Sequence, residues 1–400
     1  MLKKIAPCFF AIIIDALGFG LVYPTLAALF TAANSPVLPI DATGSLRHFY
    51  LGLGYMLYPL CMFFGASFMG DLSDVWGRKR VLLICMFGIS LSFCLMAVGV
   101  LAQSLWLLFL GRGLSGLAAG SQPIAQACIA DISTNKNKAK NMALISMSYS
   151  VGVVLGPLIG GVMSDQALVG WFNYATPFIV AATLALIAVI WLFFFKDTHV
   201  VVSHKKLSLI RPIQIFIEAF YHKTICRLAL VFLLMQVGFS IYFQFIIVHM
   251  KYVHHYSNWQ LGALQGMLGL GFALGILIGI PLALRYFKPR SIAIITLFLT
   301  GFLQLVSAMI TVELLQWPLA VFIAVFDMMA FSSLLTLFSN AVNDQLQGWV
   351  MGISGSVMAV AWIITGLSAN SLSLLTTATL IAIGGGILIL SSIILYRSGV

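Results

Sequence analysis

Three charged residues stand where charge is least expected. Asp15, Arg112 and Asp327 each lie inside an apolar run long enough to cross a bilayer, whereas most other acidic residues occupy polar breaks or the ends of such runs. Holding a charge near the bilayer centre costs a few kcal/mol or more, so groups of this kind face a cavity or a partner. Asp327 is about ten residues into its run, ~15 Å at 1.5 Å per residue. Arg112 is similarly deep, and Asp15 is nearer the start of its run. Burial favours the neutral carboxyl and a nearby guanidinium favours the anion, so a carboxylate whose surroundings change can take up and release a proton. Asp15 and Arg112 form such a pair if the first and fourth runs meet, and Asp327 suits a proton or a cationic substrate. The plainer alternative for each is a fixed ion pair or a polar contact between helices.

A second set of residues shapes backbone rather than chemistry. Gly152, Gly156 and Gly160 recur at i, i+4 and i+8, with Pro157 and Gly161 beside them. This spacing lays small residues on one helix face, where a neighbour can approach closely, and proline removes a donor and bends the helix. Gly271, Gly275 and Gly279 repeat the spacing and read as packing. Polar and aromatic residues inside the runs are candidates for a substrate cavity: Gln122, Gln126, Gln236, Tyr242, Gln244, Gln265 and Trp362. His249, His254 and His255 cluster near a break and read as solvated interface, since no acidic ligands for a metal stand beside them. No nucleophile elbow, phosphate loop or metal-hydrolase helix is present, so the chain is not expected to be an enzyme, and no cofactor or metal is expected.

The elements that must position these residues are membrane helices. Of 400 residues, 61% are hydrophobic and 8% charged, against about 25% charged in a soluble domain. Too little polar surface remains to cover a globule, so lipid must be much of the solvent. Runs of about 20 apolar residues span the hydrocarbon, and they occur near 6–30, 49–70, 81–101, 104–129, 142–164 and 173–195. A second six lie near 224–250, 259–284, 291–312, 317–339, 349–369 and 375–396. The runs are too long and too continuously apolar for barrel strands. The six cysteines lie in or beside them and read as small buried hydrophobes.

The formal charge of +10 does not point to nucleic acid, because the basic residues are dispersed among the breaks. Of the 21 Lys and Arg, all but Arg47, Lys251 and Arg112 fall on one side if the spans alternate, which places both termini in the cytoplasm. The polar, basic stretch 196–223 divides the chain into an N-terminal bundle, 1–195, and a C-terminal bundle, 224–400. Residues 211–220 within it suit a short interfacial helix. A weak repeat at an offset of 210 residues pairs Trp76 with Tyr286 and supports two related halves.

These residues resemble the major facilitator superfamily, and within it the twelve-span drug:proton antiporters that include the tetracycline-efflux branch. The stretch Gly70-Asp-Leu-Ser-Asp74-Val-Trp-Gly77-Arg78-Lys79-Arg80 is similar to the superfamily's signature G-x-x-x-D-x-x-G-R-[RK]. The resemblance implies a cytoplasmic gate in which Asp74 and Arg78 join a charge network, with Asp131 as partner. Val75 stands where the family usually has a basic residue, and Asn137-Lys138 where an acidic-then-Arg pair is common. Gly111-Arg112-Gly-Leu-Ser-Gly116 resembles the motif whose arginine takes part in proton transfer. The Gly152–Gly161 stretch resembles the antiporter motif, and Asp15-Ala-Leu-Gly18-Phe-Gly20-Leu-Val-Tyr-Pro24 looks like the first-span signature of the tetracycline exporters.

The expectation is therefore an all-α membrane protein of twelve transmembrane helices in two pseudo-symmetric six-helix bundles. It would sit as a monomer in a bacterial inner membrane and export a small molecule by alternating access, with the proton gradient as energy source. Export of an endogenous metabolite such as a siderophore, proton-coupled import, and a non-transporting receptor or scaffold are the rival readings.

Overall fold

The computed structural model describes residues 2–132, 138–195, 210–343 and 346–398, and their side chains other than those of 2–5, 130–132, 138–140 and 142–143. No strand occurs among the described residues. In chain order the helices are α1 Leu2–Thr31, α2 Gly44–Trp76, α3 Arg78–Leu101, α4 Leu105–Leu117, α5 Ser121–Ile132, α6 Lys138–Met163 and α7 Thr176–Phe193. They continue as α8 Arg211–Glu218, α9 Lys223–Val253, α10 Asn258–Leu274, α11 Ile280–Ala283, α12 Pro289–Met309, α13 Glu313–Asn340, α14 Gln347–Leu367 and α15 Thr377–Arg397. A π-helical turn, Gly275–Gly279, joins α10 to α11 without a break.

Eleven helices among the described residues are long and apolar enough to cross a membrane. They coincide with eleven of the expected runs. The fourth run, 104–129, is not continuous: α4 and α5 are separated by a turn at 118–120. Pro123 accounts for the break, since it has no N–H for the carbonyl of Ala119 and its ring crowds that carbonyl.

The motif between the second and third spans is also more helical than a loop. α2 runs on through Gly70 and Asp74 to Trp76, and only Gly77, at φ 94°, turns the chain before α3 begins at Arg78. Nothing in Gly70–Trp76 breaks a helix except Gly70 itself, and a glycine alone costs only about 1 kcal/mol. A positive φ at 77 is a different matter, because L side chains rarely adopt it.

By internal contacts the chain forms two compact units. The first comprises Met1–Thr43, Leu57–Leu209 and Ser257–Gly266. Its central feature is the face-to-face packing of α1 on α6. A Cβ on Gly152 would strike the backbone of Ile13 and Leu17, one on Gly156 the carbonyl of Leu17, and one on Gly160 the carbonyl of Leu21. The glycine face thus runs along the part of α1 that carries Asp15. Pro157 fits against the backbone of Gly20 on the same helix. Gly161 points elsewhere, against Gly262 near the start of α10. That start is held by Asp165, whose Oδ2 accepts the Trp259 N–H at 3.1 Å, while Asn258 Nδ2 donates to the Ser164 carbonyl at 2.9 Å.

The second unit comprises Gly44–Met56, Ile210–Tyr256 and Met267–Val400. Its core gathers Phe232 and Met235 of α9, Leu297 of α12, Leu334 and Phe338 of α13, Ile353 of α14 and Leu388 of α15. Small residues bring the backbones together, with Gly238 against Gly384 and Gly301 against Gly385. Two serines fasten α15 on both sides: Ser391 Oγ donates to the Val231 carbonyl and Ser392 Oγ to the Ile294 carbonyl, each at 2.8 Å. The glycines of the eighth span, Gly271, Gly275 and Gly279, lie against Val321, Val325 and Met329 of α13, which is the packing role expected. His249 departs from expectation. It is buried, and its Nδ1 is 2.8 Å from Thr377 Oγ1 at the start of α15, because a polar ring enclosed by helices needs a partner.

Because the atoms facing Gly156 are backbone, they cannot step aside. Gly156→Val should lower the unfolding free energy by about 1–3 kcal/mol, the usual cost of overpacking. Gly70→Ala, where a Cβ meets nothing within 4 Å, should instead raise the thermal midpoint of the purified protein slightly, by up to about 1 kcal/mol of helix propensity.

Candidate functional site

The α1–α6 seam fixes the height and rotation of Asp15 within the first unit. Around it, α1, α2, α3 and α4 close a small cavity of about 10 Å³, lined by Asp15, Gly18, Phe19, Tyr58, Ile89, Phe93, Arg112 and Ser115. A volume of that size holds about one water. Asp15 and Arg112, nearly a hundred residues apart in sequence, therefore share one enclosure. Asp15 is half-buried and Arg112 fully so. The carboxylate of Asp15 faces the start of α5, beside the Ser121 hydroxyl and the Gln122 N–H. The break at 118–120 matters here, because it opens helix-end N–H groups toward the acid, a favourable setting for negative charge.

Arg112 is held by aromatic faces. Its guanidinium carbon lies 4.7 Å from the centroid of Tyr58 and 5.7 Å from that of Tyr23. Phe19 completes the cluster, packing edge-on against Tyr23 at 5.2 Å and tilted against Tyr58 at 5.8 Å. A ring face attracts a cation most strongly where water is excluded, by about 2 kcal/mol or more. These tyrosines escape sequence reading. Tyr23 falls in the first-span signature but carries no charge to draw notice, and Tyr58 lies in a different span from Arg112.

The gate motif forms a compact group around Gly77. Asp74 Oδ1 and Arg78 Nη1 are 4.0 Å apart, and Lys79 Nζ donates to the Phe193 carbonyl at 2.7 Å, capping the end of α7. A cation at a helix C-terminus offsets its partial negative charge. Asp131 stands in the last turn of α5, and its side chain lies outside the described residues.

In the second unit Asp327 is buried mid-way along α13, on the same face as Ala320, Ile323, Ala324, Ala330 and Leu334. Among the described residues its Oδ1 has no hydrogen-bond partner. A carboxyl group so placed is either protonated or accompanied by a cation, since an isolated buried charge is prohibitively costly. The cavity candidates are spread over several directions. Gln122 and Gln126 are half-buried on α5, Gln236 is buried on α9, and Gln265 is buried on α10. Gln244 Nε2 donates to Thr365 Oγ1 of α14 at 3.2 Å, whereas Tyr242 points toward Ser307 of α12. Trp362 packs on Phe243 at 5.5 Å.

Bilayer-length helices that enclose ionisable side chains in their interior are the build of a membrane transporter. Residues 8–366 match the family profile described as Major Facilitator Superfamily, and the chain belongs to that superfamily. Among curated relatives it is 32% identical over 187 residues to the class B tetracycline resistance protein of Escherichia coli, covering 46% of this chain and 42% of that one. It is also 32% identical over 191 residues to the quinolone resistance protein NorA of Staphylococcus aureus, covering 48% and 44%. The match thus spans less than half the length of these relatives. Among solved structures, a D-xylose-proton symporter aligns with a TM-score of 0.74 at 13% identity, covering 99% of this chain and 97% of that one. The human organic anion transporter MFSD10 aligns at 0.72 and 19%, covering 98% and 99%. At those identities the likeness is one of fold.

If the ring face of Tyr58 holds Arg112, Tyr58→Phe should keep the thermal midpoint near that of the parent protein. Tyr58→Leu should cost about 2 kcal/mol, the scale of a desolvated cation–ring contact. Thermal unfolding of both variants in one detergent checks this.

Proposed function

We propose that the protein is a proton-coupled exporter of a small molecule, working by alternating access between two halves of six spans each, with the broken α4–α5 helix completing the twelve. It acts as a monomer in a bacterial inner membrane, with both termini in the cytoplasm and the proton gradient as its energy source. The observation that carries this reading is the shared enclosure of Asp15 and Arg112, seated on the glycine-and-proline face of α6. A carboxylate that borders a cavity and helix-end donors can exchange a proton when that cavity changes its access. The permanently charged guanidinium nearby, pinned by tyrosine rings, makes that exchange sensitive to geometry. The resistance proteins among the relatives support export of a drug-like or endogenous compound. Asp327 gives the second half its own acceptor for a proton or a positively charged substrate.

Inward transport draws on the D-xylose-proton symporter, but that likeness is one of fold, and the α1–α6 glycine face favours the antiport reading. The test is substrate movement in proteoliposomes under an imposed pH gradient, across a panel of drugs and metabolites. Transport of at least one compound should run against its gradient in exchange for protons. Asp15→Asn should reduce it by about tenfold or more, the scale of losing a coupling step, while downhill exchange of the same compound persists. Asp327→Asn should weaken coupling or selectively lose cationic substrates. Proton-driven transport unchanged in both variants would overturn the assignment.

A further inference from the structure

The second unit carries a recess that the transport reading does not use. It has a volume of about 270 Å³ and is lined by Glu218, Tyr221, His222, Leu346 and Trp349. α8 and the chain after it form one wall, and the start of α14 forms the other. The indole Nε1 of Trp349 donates to Glu218 Oε2 at 2.7 Å, and the His222 ring stands edge-on to Trp349 with centroids 5.1 Å apart. The carboxylate and the rings are thus locked into one arrangement. An ionised carboxylate offers about four lone-pair sites, and the indole takes one. Acid and aromatic faces together form a receptor for a positively charged nitrogen, since the rings attract a cation through their faces and the acid accepts its N–H groups.

The surroundings identify where that nitrogen comes from. α8 is amphipathic: Ile215 packs toward Gly352 of α14, while Ile210, Ile213, Ile217 and Phe220 are exposed. These four recur every three or four residues and make a continuous apolar stripe, the pattern of a helix lying in the headgroup region. Tyr221, at the mouth of the recess, is 81% exposed. A stripe of that kind facing water would be costly, so the recess opens at the level of lipid headgroups. Lys223 opens α9 immediately beyond His222, and a cation at a helix N-terminus is a setting that favours a phosphate.

We propose that this recess binds the ammonium group of a phospholipid headgroup of the phosphatidylethanolamine type, with Glu218 accepting from the nitrogen and Trp349, Tyr221 and His222 walling it. The site rests on the transport reading only for the side of the membrane it faces. It is read by lipid retention, which requires no transport, so either can fail without the other.

The full-length protein is released from nanodiscs holding equal amounts of phosphatidylethanolamine and phosphatidylglycerol, and bound lipid is counted by native mass spectrometry. One phosphatidylethanolamine should outlast phosphatidylglycerol on the parent protein. Glu218→Gln and Trp349→Ala should each lower that retention by about fivefold or more, and Trp349→Phe should keep most of it. Glu218→Gln alters a surface residue and guards against loss of folding, which the thermal midpoint monitors. Equal retention of the two lipids, or retention unchanged in Glu218→Gln and Trp349→Ala alike, overturns the proposal. Displacement of the lipid by millimolar free ethanolamine would show that soluble amines are the natural source and would overturn the lipid assignment.

Discussion

The first unit depends on how closely two helix backbones approach. Gly152, Gly156 and Gly160 leave α6 without side chains along one face, so that α1 lies on it carbonyl against Cα. No larger residue fits there, and among the described helices α6 packs on α1 most extensively. Asp15 rides on that helix. Its height in the membrane, and the direction its carboxylate faces, are consequences of packing by residues that carry no charge at all. On the proton-coupled reading proposed above, a motif of glycines and a proline thereby bears on the chemistry, although none of those residues can exchange a proton.

The cost of charge inside the membrane is met differently in the two units. Arg112 cannot be neutralised, so it is surrounded by the faces of Tyr23 and Tyr58, which offer negative potential without adding a second ion. Asp15 has a small cavity and a helix start. Asp327 has neither among its described contacts, and its Oδ1 lacks a partner. A carboxyl can pass between neutral and charged forms where a guanidinium cannot. The acids are therefore free to be switched, and the arginine is fixed as a constant.

Much of this was legible in the sequence, because long apolar runs in a membrane have one backbone solution. Eleven helices fall where hydropathy places them, and Asp15 and Arg112 announce themselves by being charged in the wrong place. The misreadings have local causes. Hydropathy makes the fourth span continuous because apolar residues flank Gly120-Ser121-Gln122-Pro123 on both sides, yet that breaker sequence interrupts the helix at 118–120. By hydropathy the second run ends at 70, yet α2 continues to Trp76, because no residue of 71–76 is a strong helix breaker and only Gly77 takes a backbone conformation that stops it. Tyr242 and Gln244 were placed in one cavity, but residues two apart on a helix face nearly opposite ways, and they meet α12 and α14 respectively. Tyr58 was out of reach in principle, since only folding brings α2 over Arg112.

The π-helical turn at Gly275–Gly279 has a geometric consequence for the eighth span. Four residues of α-helix overshoot a full turn by about 40°, so a seam of glycines spaced by four drifts around the helix as it climbs. Four residues of the wider π turn fall short of one. The step from Gly271 to Gly275 therefore drifts one way, and the step to Gly279 drifts back. All three glycines face α13, whose Val321, Val325 and Met329 recur at the same spacing of four. Coiled coils meet the same mismatch by winding two helices around each other; here a local widening within one helix turns the glycine seam back toward its starting face.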